Sequence, residues 1–449
     1  MKKIHILGIC GTFMGGVALL ARQKGYEVSG TDDNVYPPMS TLLQEQGIAI
    51  SKPEAFGPLS HDTTYIVGNS IARGKPLIEG ILNQNLSYTS GPEWLKNNVL
   101  KDKWVIAVAG THGKTTTSSL VTWILEYAGL NPGFLIGGVP ENFGVSARLT
   151  DSPFFVIEAD EYDTAFFDKR AKVVHSNART LVINNVEFDH ADIYDNVNEI
   201  IRQFHHAVRI VPGDGLVIAP KHDVFAQKVL EKGCWSQHEC TDDVAGWSAV
   251  LKQDTGSEFD VYFKDQFQGT VNWQLIGTHN VHNALSAIAA ARHAGVQPSI
   301  AIQALAEFKN VKRRLELKGV VKGITVLDDF AHHPTAIKLT LDALRAREKQ
   351  KRILVAMDFR SNSMKRGVFK DQITDALQAA DRVYLYQSPD LTWSCEDLKN
   401  EMNDRAEVAD SVENLVKVLV GQAKPDDIIL VMSNGGFGGI HEKLLKALA

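Results

Sequence analysis

The sequence predicts a three-domain α/β protein built on mostly parallel sheets, and three observations carry that expectation. A chain of 449 residues is about three times the usual domain length, so each third can bury a core of its own. Short β-rich runs alternate with helical runs along most of the chain, which is the rhythm of βαβ units. Two of the strand-to-helix junctions carry glycine-rich turns of the kind that bring backbone N–H groups up to a phosphate.

Composition narrows the partners. Hydrophobic residues make up 44% and charged residues 22%, and the longest apolar runs are of strand length or broken by glycine, so no membrane span or membrane partner is expected. A formal net charge of −6 argues against nucleic acid, and anionic ligands must therefore be held by local sites. Cys10, Cys234, Cys240 and Cys395 have unrelated spacings that give neither a disulfide framework nor a zinc pattern, which fits a reducing cytoplasm. The opening MKKIHILGICGTFMGG is cut by glycines and runs straight into a βα unit, so it reads as a first strand and not as a signal segment.

Residues 1–100 form the first predicted domain. KIHILGI, EVSGTD and TYIVGNS read as strands, with helical GGVALLARQKG and TLLQEQG between them. Gly8-x-x-Gly11-x-x-x-Gly15-Gly16 follows the first strand and Asp32 ends the second. The match to G-x-G-x-x-G is loose, so a phosphate-binding turn and a bare packing turn both stay open.

Residues 101–312 form the second. Trp104-Val-Ile-Ala-Val-Ala is a buried-type strand that feeds Gly110-Thr111-His112-Gly113-Lys114-Thr115 and then the helix SSLVTWILEYAG. This turn is shorter than G-x-x-x-x-G-K-[ST], but its Gly-Lys-Thr ending places backbone N–H groups and an ammonium around phosphates and a hydroxyl near Mg²⁺. A lysine in the first turn of a helix opposes the dipole, so it expects an anion. FFVIEADEYD delivers Glu158, Asp160 and Glu161 at a strand's carboxyl end, and TLVINNVEFDHADIY delivers Asn184, Asn185, Asp189 and His190 at another. Beside a phosphate-binding turn these suggest one or two Mg²⁺ ions. Four strand-like segments between 212 and 275 complete the central sheet. Asn280 and Asn283 then share a face near the start of an alanine-rich helix, where they serve as caps, the default for isolated residues, or as contacts to a nucleotide.

Residues 313–449 form the third domain, a second doubly wound sheet with Arg313-Arg314 in its approach. The turn SNGGFGGIH suggests backbone set against an anionic or planar ligand. No repeats or low-complexity segments are present.

In this order, the glycine turn, GTHGKTTT, EADEYD, EFDH, GTHNVHNA, the arginine pair and DDFAHHP resemble the Mur ligase family of peptidoglycan enzymes over essentially the whole chain. The resemblance implies a Rossmann-like N-terminal domain that binds a UDP-sugar, a central P-loop ATPase-type domain, and a C-terminal Rossmann-like domain that closes over ATP. It implies that ATP phosphorylates the lactyl carboxylate of UDP-N-acetylmuramate and that an amine displaces phosphate from the acyl phosphate through a tetrahedral intermediate. Phosphoryl transfer of this kind needs positioning and charge neutralisation more than a protein nucleophile. By motif match Lys114, Glu158, His190 and Arg314 are the catalytic set, and Thr115, Glu158 and His190 hold the metal. Gly110, Thr111, His112, Gly113, Lys114, Thr115 and Thr116 cradle the phosphates, and Asn280, Asn283, Arg314, Asp329 and His332 complete the ATP site. Gly8, Gly11, Met14, Gly15, Asp32, Asn69 and Ser70 fall to the UDP-sugar. Many members carry a carbamylated lysine where this chain has Phe204, a departure that resembles the branch adding L-alanine to the muramate.

Four stretches, 163–175, 202–209, 360–367 and 432–441, resemble instead the branch that uses the recycled tripeptide L-Ala-γ-D-Glu-meso-diaminopimelate. A tripeptide brings carboxylates that want cationic or amide partners, and Arg360, Asn362, Ser363, Lys365 and Arg366 offer them; a solvated basic loop is the alternative. Addition of L-alanine is the nearest rival function. An NAD-dependent dehydrogenase lacks a hydride-transfer site here, and a non-catalytic sensor of UDP-sugar is at odds with the intact Lys114, Thr115, Glu158 and His190.

Overall fold

The computed structural model describes residues 2–35 and 39–449. Its architecture is three α/β units in chain order, each organised around its own twisted sheet. In the first, five parallel strands lie in the order Ala49–Ser51, Glu27–Thr31, Lys3–Leu7, Thr63–Val67, Tyr88–Ser90. The helix Thr12–Gln23 springs from the glycine turn, where Gly8 has φ +78°, a conformation that side chains disfavour. Gly16 on that helix meets the central sheet closely. A Cβ there would lie 2.1 Å from Leu135 Cδ1, so the bare backbone lets the first unit pack against the central sheet and sets its glycine turn beside the centre of the molecule.

The central sheet has ten strands. Its parallel middle runs Leu216–Pro220, Ala178–Ile183, Trp104–Ala109, Phe154–Glu158, Gly133–Leu135, and these apolar runs are almost wholly buried because helices cover both faces. Trp247–Leu251, Glu258–Phe263 and Gln266–Asn272 extend one side as an antiparallel meander. The alanine-rich helix Thr278–His293 packs beside Lys114–Tyr127, and Ala284, Ala287, Ala289, Ala290 and Ala291 are fully buried, so the small side chains allow close approach.

The last sheet has the order Glu316–Val321, Ile324–Asp329, Ile428–Met432, Ile353–Asp358, Arg382–Tyr386, Ala406–Ala409, parallel except for the first strand. Residues that follow the parallel strands Lys3–Leu7 and Thr63–Val67, Trp104–Ala109, and Ile324–Asp329 and Ile353–Asp358, from all three units, border one cavity. All four cysteines are free, and among the described residues no helix is long and apolar enough to cross a membrane.

Candidate active site

The turn after Trp104–Ala109 owes its shape to two glycines. Gly110 has φ +132° and a Cβ on it would lie 3.0 Å from the backbone of Asn185; Gly113 has φ +78° and a Cβ would lie 2.4 Å from Asn283 Oδ1. Only glycine meets both requirements, conformation and space. Side-chain amides then lock the turn. Asn184 Nδ2 donates to Thr117 Oγ1 at 2.8 Å and Asn283 Oδ1 at 3.1 Å, and the His112 N–H donates to Asn185 Oδ1 at 2.7 Å. Asn280 and Asn283 are therefore not caps, as the default reading had it. The helix Thr278–His293 begins at Gly277 without a side-chain cap, Asn280 Nδ2 donates to the Ile276 carbonyl at 2.7 Å, and Asn283 Oδ1 accepts from Thr117 Oγ1 at 3.1 Å in the first turn of the helix Lys114–Tyr127.

The anion that Lys114 requires is built in. Its Nζ donates to Glu161 Oε2 at 2.9 Å and Oε1 at 3.1 Å, and to the carbonyls of Gly110 at 2.6 Å and Thr111 at 3.2 Å. Burial alone would lower the pKa of the ammonium, but Glu161, Asp160 and Glu158 outweigh it and the pKa is raised. Thr115 Oγ1 donates to Glu158 Oε1 at 3.0 Å, and the Gly137 N–H donates to the other oxygen at 2.7 Å. Burial pushes the Glu158 carboxyl up against the opposing pull of Lys114. His190 belongs to a different cluster: its ligand atom lies within 4.8 Å of those of Asp160 and Glu161. Burial opposes its protonation, yet the Glu161 hydrogen bond and the Glu161 and Asp189 charges raise its pKa. The sequence reading grouped Thr115, Glu158 and His190 as one ligand set; Thr115 and Glu158 do touch, while His190 is held by Glu161.

Two cavities flank this turn. The first, of about 700 Å³, is walled by Gly8, Gly11, Met14, Asp32, Asn69 and Ser70 from the first unit, by Thr111 to Thr115, Glu158, Asp160, Lys172 and His190 from the second, and by Arg314, His332, Arg360 and Asn362 from the third. The second, of about 650 Å³, is walled by Thr116, His222, Asp242, Asn280, Asn283, Leu317 and Asp329. His112, Gly113 and Arg314 border both, so a ligand with a base at one end and phosphates at the other can lie in the second cavity and present its phosphates to the first.

Most sequence-assigned residues reach these walls, with instructive exceptions. Gly15 faces away from both, and a Cβ on it would lie 2.4 Å from Met39 Sδ, so it serves helix packing. Asp32 lines the cavity but spends its carboxylate on the N–H groups of Cys10 and Asn34, both at 2.9 Å, which steadies the glycine turn. Gly110 contributes its carbonyl to Lys114 and lines neither cavity. Asp329 is pushed up by burial despite Arg314, and its oxygens accept from the N–H groups of Leu315 and Ala331 at 2.8 Å. Burial holds His332 down at about 4, so it is neutral at pH 7. The SNGG turn gives the carbonyls of Ser433 and Gly435 to Arg313 Nη2 at 2.6 and 2.8 Å, leaving Asn434 alone to line the first cavity.

The loop at 360–366 differs most from its sequence reading. Ser363 Oγ donates to Asp189 Oδ1 at 2.8 Å, Asn362 Nδ2 to Asp192 Oδ2 at 2.8 Å, and Arg366 Nη1 to the Ala191 carbonyl at 2.9 Å. Lys365 pairs with Asp390 at 3.2 Å. The loop thus docks the third unit onto the segment that carries His190, and only Arg360 and Asn362 of the five assigned residues reach the cavity. A second junction joins the same two units: Thr335 Oγ1 donates to Glu187 Oε2 at 2.7 Å, with the rings of His112 and His333 4.6 Å apart.

Two residues escaped functional assignment in the sequence. Glu161 was read as one of three acids at a strand end without a role of its own. Lys172, 3.0 Å from Asp160 and 5.6 Å from the Phe13 ring, stands in the wall between the first glycine turn and Lys114. The only signal for Lys172 was its place in the stretch 163–175.

Three family models cover nearly the whole chain: Mur ligase family, catalytic domain, at 3–102; Mur ligase middle domain at 108–291; and Mur ligase, glutamate ligase domain, at 313–435. The chain is 53% identical, over 100% of its length and 98% of the relative's, to UDP-N-acetylmuramate–L-alanyl-γ-D-glutamyl-meso-2,6-diaminoheptandioate ligase of Escherichia coli K12. The chain belongs to the Mur ligase family. Among solved Mur ligases, the crystal structure of a murein peptide ligase from Psychrobacter arcticus superposes with a TM-score of 0.77 at 44% identity, covering 100% of this chain and 99% of the other. A UDP-N-acetylmuramate–L-alanine ligase of Caldanaerobacter subterraneus is more distant, 30% identical over 99% of this chain and 97% of its own length.

Proposed function

We propose that this chain is an ATP-dependent ligase that joins the lactyl carboxylate of UDP-N-acetylmuramate to the amino group of L-Ala-γ-D-Glu-meso-diaminopimelate, releasing ADP and phosphate. The observation that carries the reaction type is the meeting of two cavities at His112, Gly113 and Arg314, with Lys114 on the wall of the first, which suits a nucleotide in one and a second anionic ligand in the other. The choice of amine is supported by full-length identity of 53% to a ligase of that name, against 30% to an alanine ligase.

The chain's own groups then have distinct tasks. The cavity lined by Asn280, Asn283 and Asp329 receives the nucleoside end of ATP, and the backbone N–H groups of the turn meet the phosphates. Lys114 and Arg314 place positive charge where the γ-phosphoryl is transferred, which stabilises the charge spread over its oxygens. Gly8, Gly11, Asn69 and Ser70 receive the UDP-sugar, so that its carboxylate reaches the γ-phosphate across the first cavity. Holding the two reactants in one cavity supplies much of the rate by proximity. The hydroxyl of Thr115 and the carboxylate of Glu158, 3.0 Å apart, form a hard oxygen pair that fits Mg²⁺, with Asp160 and His190 within reach of a second ion. Mg²⁺ bound there would neutralise phosphate charge during transfer. Soluble nucleotide substrates and unpaired cysteines agree with a cytoplasmic location.

Pure protein incubated with UDP-N-acetylmuramate, ATP and Mg²⁺ tests the assignment when the tripeptide and L-alanine are offered separately. Phosphate release and the product mass are expected with the tripeptide. Turnover with L-alanine alone would transfer the protein to the alanine-adding branch.

A further inference from the structure

We propose that Glu161 is a positioning residue whose one carboxylate holds both the phosphate-binding Lys114 and the site histidine His190, and thereby sets His190 for the ligase reaction proposed above. Glu161 lines neither cavity and its side chain is 1% exposed, whereas Lys114 and His190 both line the first. It therefore stands directly behind them. Oε1 accepts from His190 Nε2 at 2.8 Å and from Lys114 at 3.1 Å, while Oε2 takes Lys114 at 2.9 Å. The backbone of Glu161 is itself fixed, because Tyr194 Oη donates to its carbonyl at 2.5 Å.

The other acids of the same strand end are committed elsewhere. Glu158 serves Thr115 and Gly137, and Asp160 pairs with Lys172 at 3.0 Å. That leaves Glu161 as the shared counter-charge for two donors that carry or can carry positive charge, and without it those groups would repel one another in a site of low dielectric. His190 also needs holding for a conformational reason. Its φ is +56°, a left-handed conformation that non-glycine residues disfavour, and its N–H is bonded to Asp189 Oδ1 at 2.7 Å. With Nε2 tied to Glu161, Nδ1 is the ring nitrogen left for the cavity. A carboxylate behind a histidine fixes the tautomer and ring orientation in this way.

The two cations differ in how far they depend on Glu161. Lys114 keeps the carbonyls of Gly110 and Thr111 as partners when the carboxylate is neutralised, and His190 loses the only side chain bonded to its ring among the described residues. Substitution of Glu161 should therefore separate nucleotide binding from turnover. For Glu161→Gln, kcat should fall about 30-fold while KM for ATP and the calorimetric affinity for the non-hydrolysable analogue AMP-PNP with Mg²⁺ stay within about threefold of the parent. Glu161→Asp, which keeps the charge but not the reach to both groups, should show the same split, and whichever variant retains the parent's melting temperature is read. A kcat within threefold of the parent would overturn the proposal, as would a tenfold loss of AMP-PNP affinity, since that outcome would assign Glu161 to the nucleotide site. If the parent protein ligates L-alanine and not the tripeptide, the substrate assignment fails and the Glu161 comparison is made with L-alanine. The AMP-PNP measurement reads Glu161 whatever the amine.

Discussion

The glycine turn at 110–115 and the basic loop at 360–366 place cations beside the same cavity, and they hold them in opposite ways. The partners of Lys114 lie on its own unit and behind it, so the ammonium stays at the cavity wall. Ser363 and Arg366 give their donors to Asp189 and Ala191, in the loop that follows Ala178–Ile183 of the central unit, and Asn362 divides itself between Asp192 and the cavity. The first arrangement presents charge to a ligand. The second fastens one unit to another, and it fastens it to the segment that carries His190, which Glu161 grips from the other side. A basic residue near a cavity is thus a ligand contact only where its internal partner leaves it facing inward.

The largest effect should come from the turn. Lys114→Ala should lower kcat/KM for ATP by about a thousandfold or more, near 4 kcal/mol, because the lost charge acts on the transferring phosphoryl group in a buried site. Steady-state kinetics with circular dichroism as the folding control reads this, and activity within tenfold of the parent would remove Lys114 from the chemistry. A smaller effect is expected from the loop. Arg366→Ala removes one charged hydrogen bond across the junction, worth about 1.5 kcal/mol, so kcat should drop roughly tenfold with KM for the tripeptide nearly unchanged. The reverse pattern, a raised tripeptide KM at parental kcat, would return the loop to peptide binding.

The same contrast explains what the sequence made legible. The α/β class and the central strand–turn–helix follow from local rules: apolar runs of strand length, glycine where φ is positive, and a helix directly after. The turn at 110–115 was legible because Gly110, Gly113, Lys114 and Thr115 fall within six residues. Asn283 was assigned to the site only through the family motif, since its partner Thr117 is 166 residues away and no local pattern distinguishes a clamp from a cap. Asp189 and Ser363 are 174 apart, and their bond ties 360–366 to the segment that carries His190. The Phe204 departure has a simple structural counterpart: Phe204 is fully buried on the helix Val197–Val208, among apolar neighbours. Chemistry carried by adjacent residues can be read along the chain, and chemistry decided by which sheet a loop lands on cannot.

In the proposed reaction the γ-phosphoryl group of ATP activates the sugar's carboxylate before the amine attacks. With both oxygens of the lactyl carboxylate of UDP-N-acetylmuramate labelled with ¹⁸O, mass spectrometry of the phosphate released during ligation tests this directly. One ¹⁸O is expected in every phosphate released, because the acyl phosphate breaks at its carbonyl carbon and one carboxylate oxygen leaves with phosphorus. Phosphate free of ¹⁸O, with one label kept in the amide carbonyl and the other lost to water, would contradict it.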